Sequence, residues 1–232
     1  MCGRYLLNMP SDAIRERYWI ERDLAVQDHL FQRFNIAPSQ PVAAVRLGPG
    51  DGRRELVSVR WGLIPSWAKV PKTDYNTINA RAETVAVKPT FRDAFRRRRC
   101  LIPASGFYEW ARCPDGQTKQ PFYITLTDGE PFAFAGLWER WEPRASAEGE
   151  PVESCTIIVT DANGCLRPIH DRMPVILHPA DYYRWLNPAG KNPEELLKPY
   201  PEERMTRRPV SARVNSPKYD DPECIAPVAA TE

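Results

Sequence analysis

Cys2 follows the initiator methionine, so removal of Met1 would give this cysteine a free α-amine beside its thiol. The two groups together form a 1,2-aminothiol. With an aldehyde, the amine forms a Schiff base and the thiol then closes on the same carbon to give a five-membered thiazolidine. At pH 7.5 an α-amine is roughly 40% neutral, whereas a lysine is only about 0.1% neutral. Cys2 is therefore a candidate aldehyde-reactive group, and this hypothesis requires processing. The alternative is a small residue 2 that merely permits methionine removal.

Three further polar residues are candidates for proton transfer or positioning. Asn79 lies at or near a predicted helix start, where an asparagine commonly caps the helix. Glu109 lies in a predicted strand whose alternation places it on the same face as Phe107. If that face is covered, the pKa of Glu109 should rise and suit an acid–base residue; the alternative is a solvated glutamate. His170 is the strongest acid–base candidate among the three histidines, although a hydrogen-bonded structural role is the alternative.

Three arginines and two aromatic residues could form a surface for nucleic acid. Arg4, Arg81 and Arg172 each lie within two residues of a candidate reactive group, so convergence of those groups would create a phosphate-binding rim. Trp67, in a proline-framed loop, and Tyr75 could stack on an unpaired base or wedge between bases. The alternative for both is an ordinary half-buried aromatic side chain.

Composition limits the class of protein. A chain of 232 residues with 42% hydrophobic content is expected to form one domain over 1–232, with a poorly ordered tail from about 215. The net charge of +2 restricts nucleic-acid binding to a local patch, and the arginine run at 96–99 is interpreted as a solvated helix end. Six cysteines without a CxxC pair predict a reducing cytoplasm, no metal and no cofactor. We expect a cytoplasmic monomer without a membrane segment.

The predicted elements define an α+β fold. Helices are predicted over 11–30, 78–87, 90–98, 179–186 and 193–197. Strands are predicted over 42–47, 55–61, 100–103, 107–112, 122–127, 132–138, 154–160, 173–177 and 206–214. Residues 62–72 are expected to form a rigid loop and 139–153 an exposed insertion, and a meander is the simplest arrangement of the strands over 100–138. The predicted fold is a single mixed domain with mainly antiparallel strands and peripheral helices.

An ordered series of motifs carries a family resemblance. It consists of Met-Cys-Gly-Arg-Tyr at 1–5, Asn-Ile-Ala-Pro at 35–38, Trp-Gly-Leu-Ile-Pro-Ser-Trp at 61–67, Ile-Asn-Ala-Arg-Ala-Glu at 78–83, Gly-Phe-Tyr-Glu-Trp at 106–110 and Ile-His-Asp-Arg-Met-Pro at 169–174. The series resembles the SOS-response-associated peptidase (SRAP) family and spans 1–174. The resemblance implies the SRAP fold, a mixed domain with a mainly antiparallel, barrel-like β core and peripheral helices. It also implies a sensor of abasic sites in single-stranded DNA, which would be associated with the nucleoid when bound to DNA. Such a sensor shields the lesion by a covalent thiazolidine DNA–protein crosslink through the processed Cys2, after autocatalytic removal of Met1.

The resemblance also implies residue roles. The Cys2 amine and thiol would form the ring, Glu109 would shuttle protons, His170 would assist sugar opening, and Asn79 would hold the terminus and sugar. Phosphates would be held and flanking bases contacted by a second set of residues: Arg4, Arg81, Arg172, Trp67 and Tyr75. Two alternatives are a cysteine peptidase that uses Cys2 and His170 on other polypeptides, and a non-covalent binder of single-stranded DNA.

Overall fold

The computed structural model of the protein describes residues 2–24, 26–71, 77–143, 150–190 and 192–228. Within these residues, strands account for most of the regular structure. The strands are β1 (Tyr5–Asn8), β2 (Arg22–Asp23), β3 (Gln32–Ile36), β4 (Pro41–Leu47), β5 (Arg54–Trp61), β6 (Asn79–Arg81), β7 (Arg99–Ala104), β8 (Gly106–Arg112), β9 (Lys119–Leu126), β10 (Phe132–Trp141), β11 (Val152–Asp161), β12 (Arg172–Pro174), β13 (Ile176–Leu177) and β14 (Met205–Pro209).

The described helices are short and lie outside the sheets. The α-helices are α1 (Ser11–Arg17), α2 (Arg92–Arg97) and α3 (Tyr182–Leu186). Single turns of 3-10 helix occupy Asp28–Leu30, Pro179–Asp181, Pro193–Leu196, Glu202–Arg204, Ala212–Asn215 and Pro222–Ile225. No helix in the described ranges is long and apolar enough to cross a membrane.

Five strands of the larger sheet close into a barrel. β4 pairs with β5 and β7, and β10 pairs with β7 and β11, all antiparallel. Parallel pairing of β5 with β11, where Trp61 lies opposite Cys155, completes the ring. Most residues of these strands are buried, and their apolar side chains belong to one continuous core. The predicted mixed fold with a mainly antiparallel, barrel-like β core is confirmed.

The second sheet has the order β14-β9-β8-β1-β3, and it shows that the predicted meander over 100–138 is wrong. Only β8 and β9 pair as consecutive strands there, since β7 pairs with β10 and β4. The chain changes sheets between β7 and β8. At Gly106 a Cβ atom would lie 2.8 Å from the backbone oxygen of Ile124 and closer still to the Tyr123 ring, so only glycine fits there.

Two predicted helices are wrong because non-local pairing competes with helical periodicity. The helix predicted over 11–30 ends at Arg17, since Trp19 has a left-handed φ of 49° and residues 22–23 pair with β5. The helix predicted over 78–87 is instead β6 followed by turns. The backbone of β6 is satisfied by β11: the N–H of Ile157 donates to the oxygen of Ile78, and the N–H of Ala82 donates to the oxygen of Val159.

The remaining differences concern element ends. The strand predicted over 206–214 ends at 209, and β10 and β11 extend into the predicted insertion at 139–153, of which 144–149 lie outside the described residues. The tail expected to be poorly ordered from about 215 is held to the body up to residue 228. There the carboxylate of Asp220 accepts from the backbone N–H groups of Phe34 and Asn35, and Cys224 is fully buried.

Candidate active site around Cys2 and Glu109

The thiol of Cys2 lies inside the protein, at the start of the segment that leads into β1. The register between β1 and β8 pairs Tyr5 with Phe107, and the Tyr108 N–H donates to the Arg4 oxygen, so residues 2–4 continue alongside 108–110. Cys2 is fully buried, and burial raises the pKa of its thiol, with a further contribution from the Glu109 carboxylate. The thiol is therefore protonated at neutral pH.

Glu109 is the second buried group of the site. Phe107 belongs to the main core and Tyr108 to the smaller cluster on the other face of the sheet, as the predicted alternation requires. Glu109 itself is 4% exposed, which excludes the solvated alternative. Burial raises its pKa from 4.5 to about 7, and nearby Asp171 contributes in the same direction. At neutral pH this carboxyl group is therefore close to half-protonated.

Asn79 is placed by strand pairing, so the predicted helix cap is wrong at this position. It lies in β6 opposite Ile157 of β11, and its side chain is buried. Its amide nitrogen donates to the Ile78 oxygen at 3.1 Å. Within the described ranges its Oδ1 atom has no hydrogen-bond partner, so a buried acceptor remains available to a ligand or a terminal amine.

His170 lies directly before β12 and is half-buried. Its Nδ1 atom accepts the Arg172 backbone N–H at 2.9 Å, which puts the hydrogen of the neutral ring on Nε2. Burial lowers the pKa of His170, whereas Asp171, with Oδ1 at 2.9 Å from Nδ1, opposes that change. The neutral ring is thus a donor through Nε2, and its protonated form would be stabilised by the Asp171 carboxylate.

The strand order brings two of the predicted DNA-binding arginines to the flanks of one strand. β11 lies between β6 and β12, with Arg81 opposite Val159 and Arg172 opposite Asp161. Arg81 is exposed, whereas Arg172 donates to the carboxylate of Glu83 and lies 3.3 Å from that of Asp161. Arg172 is therefore already neutralised by protein groups, and Arg81 is the more accessible cation.

Arg4 binds groups inside the protein that its sequence position does not reveal. Its guanidinium donates to Asn35 Oδ1 and to the Val214 oxygen, both at 2.7 Å, and lies 5.8 Å from the Trp110 ring. Asn35 is fully buried and also donates to the oxygens of Val214, Ser216 and Tyr219. Together they fasten the C-terminal segment against β1 and β3.

Trp67 lies on the predicted irregular loop and is 60% exposed. The loop is anchored on both sides of this residue, because the Ile64 N–H donates to Ser154 Oγ and Trp141 Nε1 donates to the Ala68 oxygen, each at 2.8 Å. An exposed indole on an anchored loop is suited to stacking on a base. Tyr75, the other predicted base-contacting residue, lies outside the described residues.

The structure adds two residues that the sequence interpretation did not assign to the site. Asp171 contacts His170 and influences Glu109, and its position inside the Ile-His-Asp-Arg motif is a signal that could have identified it. Asn35 belongs to the Asn-Ile-Ala-Pro motif of the family resemblance, to which the sequence interpretation gave no role in the site. No group of three or more His, Cys, Asp or Glu side chains suited to a metal ion occurs in the described part of the chain.

Comparison with known proteins gives a consistent result. Residues 1–217 match the profile of the SOS response associated peptidase (SRAP) family. The abasic site processing protein YoqW of Bacillus subtilis is 45% identical over 228 residues, covering 97% of this chain and 99% of the relative. The abasic site processing protein HMCES of Rattus norvegicus is 32% identical, covering 98% of this chain and 76% of the relative. A crystal structure of a protein from Bacteroides thetaiotaomicron superposes with a TM-score of 0.84 at 27% identity, covering 98% of this chain and 100% of that chain.

Proposed function

Since the chain belongs to the SOS response associated peptidase (SRAP) family, we propose that it processes abasic sites in single-stranded DNA, through a covalent thiazolidine link to Cys2 formed after removal of Met1. The names of the relatives support abasic-site processing. The observation that carries the chemical proposal is the buried Cys2 beside a carboxyl group whose pKa is about 7. The word peptidase in the family description is consistent with self-removal of Met1.

The proposed reaction balances without an added oxidant or cofactor. The open-chain aldehyde of an abasic deoxyribose accepts the Cys2 amine at C1′, and the carbinolamine loses its hydroxyl as water to leave an imine. The thiol sulfur then bonds to the same carbon, and the proton released by sulfur balances the one gained by the ring nitrogen. Because the pKa of Glu109 is about 7, its acid form can protonate the departing hydroxyl and its carboxylate form can accept the thiol proton.

The other site residues have roles that follow from their contacts. His170 would donate from Nε2 to the ring oxygen of the sugar and so favour the open aldehyde, since Nδ1 is occupied by the Arg172 N–H. The buried Oδ1 of Asn79 would accept a hydrogen bond from the Cys2 amine or the sugar hydroxyl. Arg81 would contact phosphate directly. Arg4 and Arg172 already bind protein groups, so a phosphate would have to share or replace those partners. Trp67 and Tyr75 remain proposed contacts to bases beside the lesion.

The cysteine peptidase alternative requires a thiolate nucleophile at neutral pH. Burial and the carboxylate of Glu109 both raise the pKa of the Cys2 thiol, which disfavours that form. A thiol held neutral suits the second step of thiazolidine formation, in which an imine has already been formed by the amine. The raised pKa of the Cys2 thiol therefore supports the aldehyde reaction over turnover of other polypeptides.

The decisive experiment uses single-stranded oligonucleotides that carry one abasic site. Intact mass first establishes that Met1 is absent from the preparation. We expect a heat-stable slower-migrating band with the unmodified protein and no such band with Cys2→Ala. Cys2→Ser retains the amine, so borohydride should trap its imine although no heat-stable adduct accumulates without reduction.

A matched control is Cys113→Ala, because Cys113 is a free cysteine on the loop after β8 and away from residue 2 in the sequence. This variant should crosslink like the unmodified protein. A heat-stable band that persists in Cys2→Ala would refute the mechanism. Binding of abasic and intact strands with equal affinity and no adduct would instead support the non-covalent alternative.

A further inference from the structure

A second surface lies outside the site described above and combines cationic and aromatic side chains. Its centre is a cleft of about 710 Å³ between the loop joining β4 to β5, the end of α2, β10 and α3. Arg97, Arg99, Trp138 and Tyr183 are among its lining residues. None of the residues proposed for abasic-site chemistry lines this cleft.

The charge in the cleft is not balanced by protein carboxylates. Of the other charged lining residues, Arg98 pairs with Glu139 at 2.7 Å and Asp51 pairs with Arg22 at 2.6 Å. Arg99 is buried and donates only to backbone oxygens, including those of Trp185 and Asn187. Among the described residues, no carboxylate lies within ion-pair distance of Arg97 or Arg99. Arg97 is exposed, so its charge remains for an anion to neutralise, whereas the buried Arg99 guanidinium is held by backbone oxygens.

Exposed aromatic rings continue the surface beyond the cleft. Tyr18 stacks on Tyr182 with ring centroids 5.6 Å apart, and Trp19 and Tyr183 are the residues that follow them in the chain. Trp19 is 57% exposed and Tyr183 is 60% exposed. The Arg54 guanidinium lies 5.0 Å from the Trp19 ring and connects this pair to the β4–β5 hairpin.

Trp19 also has a backbone conformation that is unfavourable for its residue type. Its φ of 49° lies in the left-handed region, which costs a non-glycine residue stability. A large exposed ring on a strained backbone contributes little to the core, and such strain is commonly retained where a residue has a function. Trp138 is held differently, because the Arg46 guanidinium covers its ring at 4.1 Å and makes it a rigid wall of the cleft.

We propose that the surface formed by Trp19, Arg54, Tyr183, Trp138 and Arg97 binds a segment of single-stranded nucleic acid. The exposed rings offer stacking platforms that accept any base, and the arginines supply positive charge for a phosphate backbone. An occupant longer than a mononucleotide is indicated because the aromatic residues extend from the cleft across α3 to the end of α1. The surface would add sequence-independent affinity for a strand. It goes beyond the proposed chemistry at Cys2 and does not depend on it.

The test measures fluorescence anisotropy of a labelled oligothymidylate of about 20 nucleotides that contains no abasic site. Tyr183→Ala and Trp19→Gly should each weaken binding by about fivefold or more, and their combination by more than either alone. Arg97→Ala should reduce the slope of log affinity against log salt by about 0.7. Tyr183→Phe and Arg97→Lys, which retain the ring and the charge, should stay close to the unmodified protein. Arg208→Ala, which removes an exposed arginine on β14, is the matched charge control.

Two measurements separate this inference from a structural effect and from failure of the proposed chemistry. Glycine tolerates the backbone of residue 19, so Trp19→Gly should lose affinity without losing melting temperature. On an abasic oligonucleotide of about five nucleotides at saturating concentration, the surface variants should still crosslink, whereas Cys2→Ala should not. Unchanged affinity of Tyr183→Ala and Arg97→Ala for the long strand would overturn the inference. The inference would also be overturned if thymidine monophosphate, but not the long strand, occupied the cleft.

Discussion

Replacing Glu109 by glutamine keeps the size of a buried side chain and removes its ability to transfer a proton. In the unmodified protein the carboxyl is 4% exposed and its pKa is about 7, so both protonation states are populated at neutral pH. A glutamine can provide neither the acid for loss of water nor the base for the thiol proton. We expect crosslinking at pH 7 to slow by about 10²- to 10⁴-fold, which corresponds to about 3–5 kcal/mol in activation free energy.

The same substitution should have the opposite effect on folding. The folded state binds the Glu109 proton more tightly than the unfolded chain, because burial raises the pKa from 4.5 to about 7. The cost of ionising this group is therefore absent below pH 4.5, increases between pH 4.5 and 7, and is complete above pH 7. That cost is about 3 kcal/mol. Glu109→Gln should accordingly gain stability relative to the unmodified protein as pH rises through this window.

The assay combines denaturant unfolding at pH 4.5 and pH 8 with single-turnover crosslinking, after intact mass has established that both proteins lack Met1. Glu55→Gln is the control, since Glu55 is also buried but pairs with Arg22 and Arg46. It should destabilise the protein, by up to about 3–5 kcal/mol at neutral pH, without slowing crosslinking by the molecules that remain folded. Equal crosslinking rates for Glu109→Gln and the unmodified protein would refute the proton-transfer role. An equal stability difference at both pH values would refute the raised pKa.

Four further outcomes are expected. Asn79→Leu removes a buried acceptor that has no partner in the described residues. It should therefore reduce crosslinking while leaving stability unchanged or raising it by about 1 kcal/mol. Marked unfolding in calorimetry would contradict this. Asp171→Asn should lower the pKa of His170 further and move the acidic limb of the pH–rate profile to lower pH. A profile that does not move would show that the contact between Asp171 and His170 is unimportant for the reaction. Asn35→Ala should cost about 1–3 kcal/mol and expose 211–228 to limited proteolysis, whereas unchanged protection would contradict its fastening role. Trp67→Ala should weaken strand binding by about fivefold or more at unchanged melting temperature; a matching loss of both would indicate a packing role instead.

The sequence by itself determined the features that depend on local chemistry. The position of Cys2 after Met1 defines the aminothiol, and the alternation over 106–110 correctly separated the face of Phe107 and Glu109 from that of Tyr108. The ordered motifs also led to the family, and with it to the barrel-like core. These properties follow from neighbouring residues or from a pattern that survives without coordinates, so no long-range contact had to be known.

The tertiary structure decided what non-local contacts control. Asn79 has a helix-like sequence context but lies in a strand, because β11, more than 70 residues later, satisfies its backbone. Whether Glu109 was solvated or covered could not be decided from alternation alone, because desolvation depends on which segments fold over it. The bonds from Arg4 to Asn35 and Val214 could not be located from the sequence, because both partners are distant from Arg4 in the chain. Periodicity cannot anticipate such pairings, since their free energy comes from partners that are distant in the chain.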